Sequence, residues 1–540
     1  MKRLVSLVLV LIMMLSCSAM AELTAHGEWP IANGGETLTV WASSFSNMVD
    51  FPNLAMTKWM EEKTGVHIEW IEVPNADQQT VFNTSLASGD YPDIYMKTGD
   101  LITLANDNVI IALDELIDEH SVYLKALLDA NPSIREEITA PDGHIYAIPK
   151  VEYNEYQATA AKMWVYTEWL EAYKAATGAE DPDTIEEFEA MCAYFKANDM
   201  NGNGDPNDEI IITGQQNYGH AGGNPLYYII GAYCFLPSDQ GGVNHFYVED
   251  GEIKTDAFSD EMREGLKKIK EFYDKGYITS EAFTQSLVDM RSFTTTTKDK
   301  VVVACIPAPY HFRMLTAQGG VENAVHFTDY TALSPLANVY TGEKVVPAKD
   351  PNGVGNRVMV TTACENPELA IRWLDTFFQQ EVIETMWHKG FQGEDWAWED
   401  GVVSMDGANR AVVKYNDAEE QNTFYNRDWI GSSWITRDLV YCVAATGDDL
   451  HQMSAGTLYF QYGKDVGWPR MNWCDDMDLS AEKSQLQSLI IGDMDTAFVE
   501  FIMGIRDIND DAAWEDYKAT IEADGLEDFI EICKEYYGLE

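Results

Sequence analysis

The sequence predicts an α/β protein with more than one domain, and three observations carry that prediction. The chain has 540 residues and is 46% hydrophobic, which is enough for two or three separately buried cores. From Glu36 onward, alternating apolar patterns of period two give way repeatedly to patterns of period 3.6, the signature of strands followed by helices. No internal repeat and no low-complexity linker interrupts this alternation, so any domains must be joined by short, ordered crossings.

Taken in order, residues 37–42 (TLTVWA) read as a strand. Pro52 and Asn53 then open a helix that turns Leu54, Met56, Trp59 and Met60 toward a core and ends at Gly65. Residues 67–73 (HIEWIEV) alternate as a second strand, 77–88 are helical, and 93–96 (DIYM) form a third strand. A β-α-β-α-β order implies an open, largely parallel sheet, because two parallel neighbours need a crossover between them. Residues 259–276 predict a helix capped by Ser259, with Asp260 and Glu261 at its positive end, an apolar stripe of Met262, Leu266, Ile269 and Tyr273, and Gly276 closing it; residues 300–306 (KVVVACI) are its expected strand partner. One further helix is expected over 366–387, with Asn366 as cap and Pro367 in its first turn, and residues 480–538 are again helical.

Charge excludes several functions. With 89 acidic against 36 basic residues the formal net charge is −53, so phosphate backbones and anionic lipid surfaces are repelled and nucleic acid is not an expected partner. Residues 1–21 read as an export signal: Lys2 and Arg3 precede an apolar core, Leu4 to Leu15, too short to span a bilayer. Two processing sites compete. Ala19-Met20-Ala21 suits cleavage before Glu22, while Leu15-Ser16-Cys17 resembles a lipobox in which Cys17 is acylated, with Met14 in place of the usual leucine. No later apolar run reaches the ~18 residues a spanning helix needs. The remaining cysteines, at 192, 234, 305, 364, 442, 474 and 533, form no CxxC pair and are expected as buried small side chains.

The sequence holds no nucleophile elbow, HExxH, phosphate loop or dinucleotide fingerprint, and its ten histidines lack ligand spacing. A glycosidase needs only two carboxylates about 5–10 Å apart, so this absence does not decide against an enzyme. The aromatic content, 12% with 15 tryptophans, points instead to sugars, because C–H faces of sugar rings stack on flat apolar surfaces while their hydroxyls need fixed polar partners. Trp41, Trp164, Trp396 and Trp434 are the stacking candidates, with Trp429 in the same stretch as Trp434; Asp100, Glu152 and Glu394 are the candidate hydroxyl acceptors. They stand at strand ends or irregular positions beside aromatics. Each tryptophan taken singly also reads as a core residue.

The stretch DMNGNGDPNDE, 199–209, places side-chain oxygens at alternate positions, Asp199, Asn201, Asn203, Asp205 and Asn207, with Gly204 where a calcium loop turns sharply. It lacks a glutamate at the twelfth position; Asp208 and Glu209 come earlier. The same residues also read as an Asn-Gly turn held by its own side chains.

In its context this loop carries a resemblance. Residues 162–210, from KMWVYTEWLEAY through DTIEEFEAMCAYFKA to the loop, are similar to the family 1 extracellular solute-binding proteins of ABC importers, in the branch that takes up alginate and oligosaccharides. DGHIYAIPK (142–150), GLKKIKEFYDKGYI (265–278), AIRWLDTFF (370–378) and GFQGEDW (390–396) follow in the order of that family, so the resemblance spans nearly the whole mature chain. It implies a two-lobed periplasmic-binding-protein-like fold of type II, with mixed, mostly parallel sheets flanked by helices and extra C-terminal helices. One lobe is expected to comprise 36–157 and 302–385, the other 158–301 and 386–540. It also implies an exported monomer that captures a solute, an oligosaccharide by preference, in an interlobe cleft and delivers it to membrane permease subunits without covalent chemistry. Carried over, the ligands of a structural calcium ion are Asp199, Asn201, Asn203, the backbone carbonyl of Asp205, and Asp208 or Glu209; one residue more than the family pattern between Asn203 and Asp208 leaves that last ligand open. A secreted polysaccharide hydrolase and a surface adhesin are the other two readings.

Overall fold

The computed structural model describes residues 23–539 except 45–49, 98, 160–161, 206, 216–222, 239–242, 310–313, 316–320, 416–432, 446, 470–472 and 475. The export signal with Cys17, and Trp429, lie outside the described residues. The chain forms two compact units: residues 1–152 with 354–443, and residues 153–353 with 444–540. It passes between them three times, each time without a linker of low complexity.

Two sheets organise these units. Their strands are β1 (Glu36–Ser44), β2 (Val66–Pro74), β3 (Ile94–Tyr95), β4 (Ile148–Tyr153), β5 (Lys162–Tyr166), β6 (Ile210–Ile212), β7 (Val303–Ala308), β8 (Tyr330–Ala332), β9 (Asn352–Val360) and β10 (Ser433–Ile435). The first sheet runs β10-β4-β9-β3-β1-β2 and the second β8-β5-β7-β6. β1 pairs in parallel with β2 over its whole length, Glu36 opposite Val66 to Ser44 opposite Pro74, and in parallel with β3, as the alternation of elements predicts. The intervening helices, Ala55–Thr64 and Gln78–Ser88, both stop at a glycine in the left-handed region, Gly65 and Gly89, where a side chain is disfavoured.

One polar clasp fixes the register of the short strand β3. The Asp93 carboxylate accepts from the backbone N–H of Thr39 at 2.7 Å and from its hydroxyl at 2.8 Å, while that hydroxyl accepts from the Asp93 N–H at 2.8 Å. Thr361, just past β9, adds its N–H to the Asp93 carbonyl at 2.9 Å. A two-residue strand thus gains from side chains the order that its ladder is too short to supply.

The assignment of segments to units differs from the expected lobes. β7 pairs with β5 and β6, so 303–353 belongs with the second unit; the hairpin Trp396–Asp400 with Arg410–Lys414, and β10 beside β4, put 386–443 with the first. Periodicity locates a strand but not its partners, which for β7 stand about 90 and 140 residues earlier in the chain. The expected helix over 366–387 is also broken, into Pro367–Asp375 and Gln380–His388 with a 3-10 turn at Thr376–Phe378. Its last residue before the break has another task. Asp375, 5% exposed, accepts from the Ser121 hydroxyl at 2.6 Å and from the N–H groups of Val122, Tyr123 and Leu124 at 2.8–3.1 Å, satisfying the free donors that open the helix Tyr123–Ala130.

In the second unit the helix Asp260–Asp274 starts at Ser259, whose hydroxyl accepts from the Met262 N–H at 3.0 Å, and buries Met262, Leu266, Ile269 and Phe272; Phe272, not Tyr273, completes the stripe. It packs on the 27-residue helix Met477–Met503, whose Phe498 and Phe501 join Trp514, Tyr517 and Phe529 of the two terminal helices in one core. All seven described cysteines are free. Lys162, at the start of β5, is buried and donates to the carbonyls of Tyr156, Thr159 and Pro309 at 2.8, 2.6 and 3.3 Å; burial pushes its pKa down to about 7.

Replacing Asp375 with Asn puts an amide donor against a row of backbone donors, so D375N should lower unfolding stability by about 3 kcal/mol in denaturant titration. D375N unfolding at the wild-type midpoint would show that the Asp375 cap is dispensable.

Candidate functional site

In open sheets of parallel strands the side chains available to a ligand gather at the carboxyl ends of the strands. In the first unit an aromatic cluster lies where β3 ends beside β1 and the helix Gln78–Ser88 packs on them. Trp41 on β1 meets Phe82 at 6.3 Å and Tyr95 at 6.0 Å between ring centroids, and Phe82 meets Tyr95 edge-on at 5.1 Å. Lys97, one residue beyond Met96, holds its ammonium 5.4 Å above the Phe82 ring, and burial lowers its pKa. The Tyr95 hydroxyl meets that of Ser85 at 2.5 Å, so its orientation is fixed. The Trp41 ring is only 2% exposed, yet its indole N–H has no acceptor among the described residues. A buried donor left unpaired costs about 1–3 kcal/mol, so it marks a place where a partner oxygen would be gained.

The other predicted solute contacts are placed as follows. Trp164, 1% exposed in β5 of the second unit, donates its N–H to the Ala308 carbonyl at 3.0 Å. Trp396, also 1% exposed, donates to the Gly390 carbonyl at 2.7 Å. Both rings are core residues with their polar atom satisfied. Trp434 on β10 is 7% exposed opposite Val151. Asp100 caps the short helix Leu101–Asn106, accepting from the N–H and the hydroxyl of Thr103 at 3.1 and 2.8 Å. Glu152 pairs with Lys150 at 2.5 Å, and Glu394 is exposed on the turn 390–395. Sequence reasoning missed Phe82, Tyr95, Ser85 and Lys97; the position of Tyr95 at the end of the DIYM strand was the available signal.

The second cluster is the loop 199–209, which leaves the helix Ile185–Ala197 and enters β6. Its side-chain oxygens point inward because the backbone binds them there. Asp199 accepts from the N–H groups of Asn203 at 3.1 Å and Gly204 at 2.8 Å, Asn203 from that of Asp205 at 2.7 Å, and Glu209 from that of Met200 at 2.8 Å. Gly202 and Gly204 take φ of +70° and +94°, which lets the chain turn this tightly. Both Asp208 oxygens accept side-chain amide hydrogens, from Asn201 at 3.3 Å and Asn203 at 2.5 Å. The second oxygen of Glu209 is buried without a hydrogen-bond partner among the described residues. An all-oxygen donor set with one buried, unpaired carboxylate oxygen suits a hard cation.

A family profile described as bacterial extracellular solute-binding protein matches residues 55–393, more than half of the chain. The chain belongs to that family. This solute-binding protein is 27% identical over 502 residues to FusA of Streptococcus pneumoniae serotype 4, a fructooligosaccharide ABC transporter substrate-binding protein, covering 88% of this chain and 85% of FusA. FusA in complex with kestose superposes with a TM-score of 0.69 at 24% identity, covering 93% of this chain and 99% of that one, and an EF-hand mutant of FusA with fructo-nystose gives 0.68 at the same identity and coverage. An ABC-transporter-associated solute-binding protein from Bifidobacterium longum infantis that binds HMO gives 0.72 at 17% identity, covering 94% and 99%. These superpositions establish the solute-binding-protein fold, mixed α/β with helices at the C-terminus.

Beside Trp396 lies a histidine that titrates far from its usual range. His388, 3% exposed, sits 4.6 Å from the Trp396 ring with its Nε2 4.0 Å from Cys442 Sγ, and burial, aided by the charge of Lys414, pushes its pKa down to about 3. The folded protein therefore keeps His388 neutral at a pH where the unfolded chain takes up a proton. Stability should fall as pH drops from about 6.5 toward about 3, by about 1.4 kcal/mol for each pH unit below the unfolded value. Unfolding midpoints of wild type and H388Q between pH 7 and 4 check this: the pH slope should be shallower in H388Q, and equal slopes would assign the acid sensitivity elsewhere.

Proposed function

We propose that this protein is the substrate-binding component of an ABC importer and captures a neutral oligosaccharide outside the cell for delivery to membrane permease subunits. The observation that carries this reading is co-linearity with FusA over most of both chains, joined to an aromatic cluster of the first unit whose Trp41 donor is unpaired among the described residues. The buried rings of Phe82 and Tyr95 pack against Trp41, whose N–H, unpaired among the described residues, offers a hydrogen bond to a sugar hydroxyl. A formal charge of −53 disfavours polyanionic sugars and leaves neutral ones unaffected. Binding needs no bond to form or break, which agrees with the ion-paired Glu152 and the capping Asp100 as structural carboxylates. Export by the N-terminal signal, with cleavage after Ala21 or acylation of Cys17, brings the protein to this solute.

The same reading assigns the loop 199–209 to a structural calcium ion. Asp199, Asn201, Asn203 and the Asp205 carbonyl would supply four oxygens, and the unpaired Glu209 oxygen, rather than the occupied Asp208 carboxylate, would supply the fifth. The ion would tie the end of one helix to the start of β6 and take no part in solute recognition.

A thermal-shift panel tests the function. One class of neutral oligosaccharide should raise the melting temperature with dose and be recovered uncleaved; cleavage would turn the assignment to a hydrolase, and no shift with any sugar would remove the oligosaccharide. W41F, which keeps the ring plane and loses the donor, should weaken that binding about five- to tenfold in calorimetry, the value of one hydrogen bond, while unchanged affinity would take Trp41 out of the site. Chelation of calcium should lower the melting temperature by about 5–10 °C in wild type and not in D199N/E209Q, with sugar affinity unaltered in that variant. A silent chelation would return the loop to a self-held turn.

A further inference from the structure

The first unit carries a second cluster of ligating side chains, on the side of the N-terminal segment and far in sequence from the calcium loop. His26 lies in that segment, His120 ends the helix Asp114–His120, and Glu368 stands in the first turn of the helix Pro367–Asp375. Glu368 Oε1 is 3.6 Å from His26 Nε2 and 3.7 Å from His120 Nδ1, and the three ligand atoms all lie within 4.8 Å of one another. Among the described residues no other group of three histidine, cysteine or acidic side chains converges this closely.

We propose that His26, His120 and Glu368 form a site for a borderline divalent cation of the zinc class, completed by water. In a tetrahedral zinc site with bonds of ~2.0–2.1 Å the ligand atoms stand ~3.3–3.4 Å apart, so two of the three separations are already within a few tenths of an ångström of what the ion requires. Two imidazoles and one carboxylate are a donor set that zinc accepts and calcium does not favour. His120 Nδ1 is buried and makes no hydrogen bond among the described residues, which leaves its lone pair available to the ion. Its other ring nitrogen lies 3.8 Å from the Glu119 carboxylate, beyond hydrogen-bond reach. The cluster borders an open hollow lined by Thr24, His26, Asn366, Glu368 and Arg372, with room for water ligands.

One group opposes the ion. The Arg372 guanidinium is 3.5 Å from the same Glu368 oxygen. Its other donors, however, go to the Thr24 hydroxyl and the Ala25 carbonyl at 3.3 and 3.1 Å, so it also holds the N-terminal segment where His26 reaches the cluster. The protein's strong negative charge raises the local concentration of any divalent cation. The ion would pin the segment around His26 to two helices of the unit.

The test uses the untagged protein with calcium in excess, so that the loop 199–209 cannot answer for zinc. Calorimetric titration with zinc chloride should give one saturable zinc per chain, released by a chelator. H26A and H120A should each weaken that binding by about 10–100-fold, while H144A, at a histidine paired with a single carboxylate, Asp114, should bind as wild type. Metal-free melting temperatures of the variants, equal to wild type, separate loss of a ligand from loss of fold. Absence of saturable zinc, or wild-type affinity in both H26A and H120A, would overturn the site, and neither result bears on the oligosaccharide.

Discussion

The second unit is arranged around one ammonium group that has been taken out of water. Lys162 opens β5, an inner strand, and among the described residues its charge meets three backbone carbonyls and the face of Tyr459 at 5.6 Å, with no carboxylate. Desolvating a cation is expensive, so the strand can begin only where those carbonyls converge. Two of them belong to Tyr156 and Thr159, in the segment that first enters the unit, and the third to Pro309 at the end of β7. One side chain thereby sets the entry of the chain, the start of one strand and the end of its neighbour. Met163, the next residue, receives the same treatment, its N–H donating to the Tyr459 hydroxyl at 2.9 Å.

The first unit uses carboxylates for the corresponding work. Asp93 joins β3 to β1, and Asp375 gathers the opening donors of a helix 250 residues earlier in the chain. Neither is available to a solute. In a chain with 89 acidic residues this matters for reading function, because a buried acid with three or four donors around it is structural however suggestive its neighbours. The Trp41 cluster differs because it contains an unpaired donor, and the loop 199–209 differs because it contains an unpaired acceptor.

Much of the local structure was legible in the sequence and much of the long-range structure was not. The strands at 36–44, 66–74 and 94–95, the helix ends at Gly65 and Gly276, and the caps at Ser259 and Asn366 follow from periodicity and from residues whose chemistry acts within four positions. The break between Asp375 and Gln380 could not be read this way, since no proline or glycine stands there. Membership of the two units depends on which strands pair, as with β7 beside β5, and pairing leaves no local mark. The tryptophans fared unevenly for a related reason. A ring beside polar residues in sequence can bury itself and spend its N–H on a carbonyl, as Trp164 and Trp396 do, and only the packed structure separates these from Trp41.

The loop 199–209 has a further property that comes from its compactness. Each of its ordered polar contacts joins residues no more than nine apart, from Asp199 at one end to Glu209 at the other. Closing so short a segment carries little chain entropy, and it asks for nothing from the sheet or the terminal helices. The clasp can therefore form while the rest of the unit is still a loose chain. A local event of this kind would give β6 a fixed starting point for its long-range pairing.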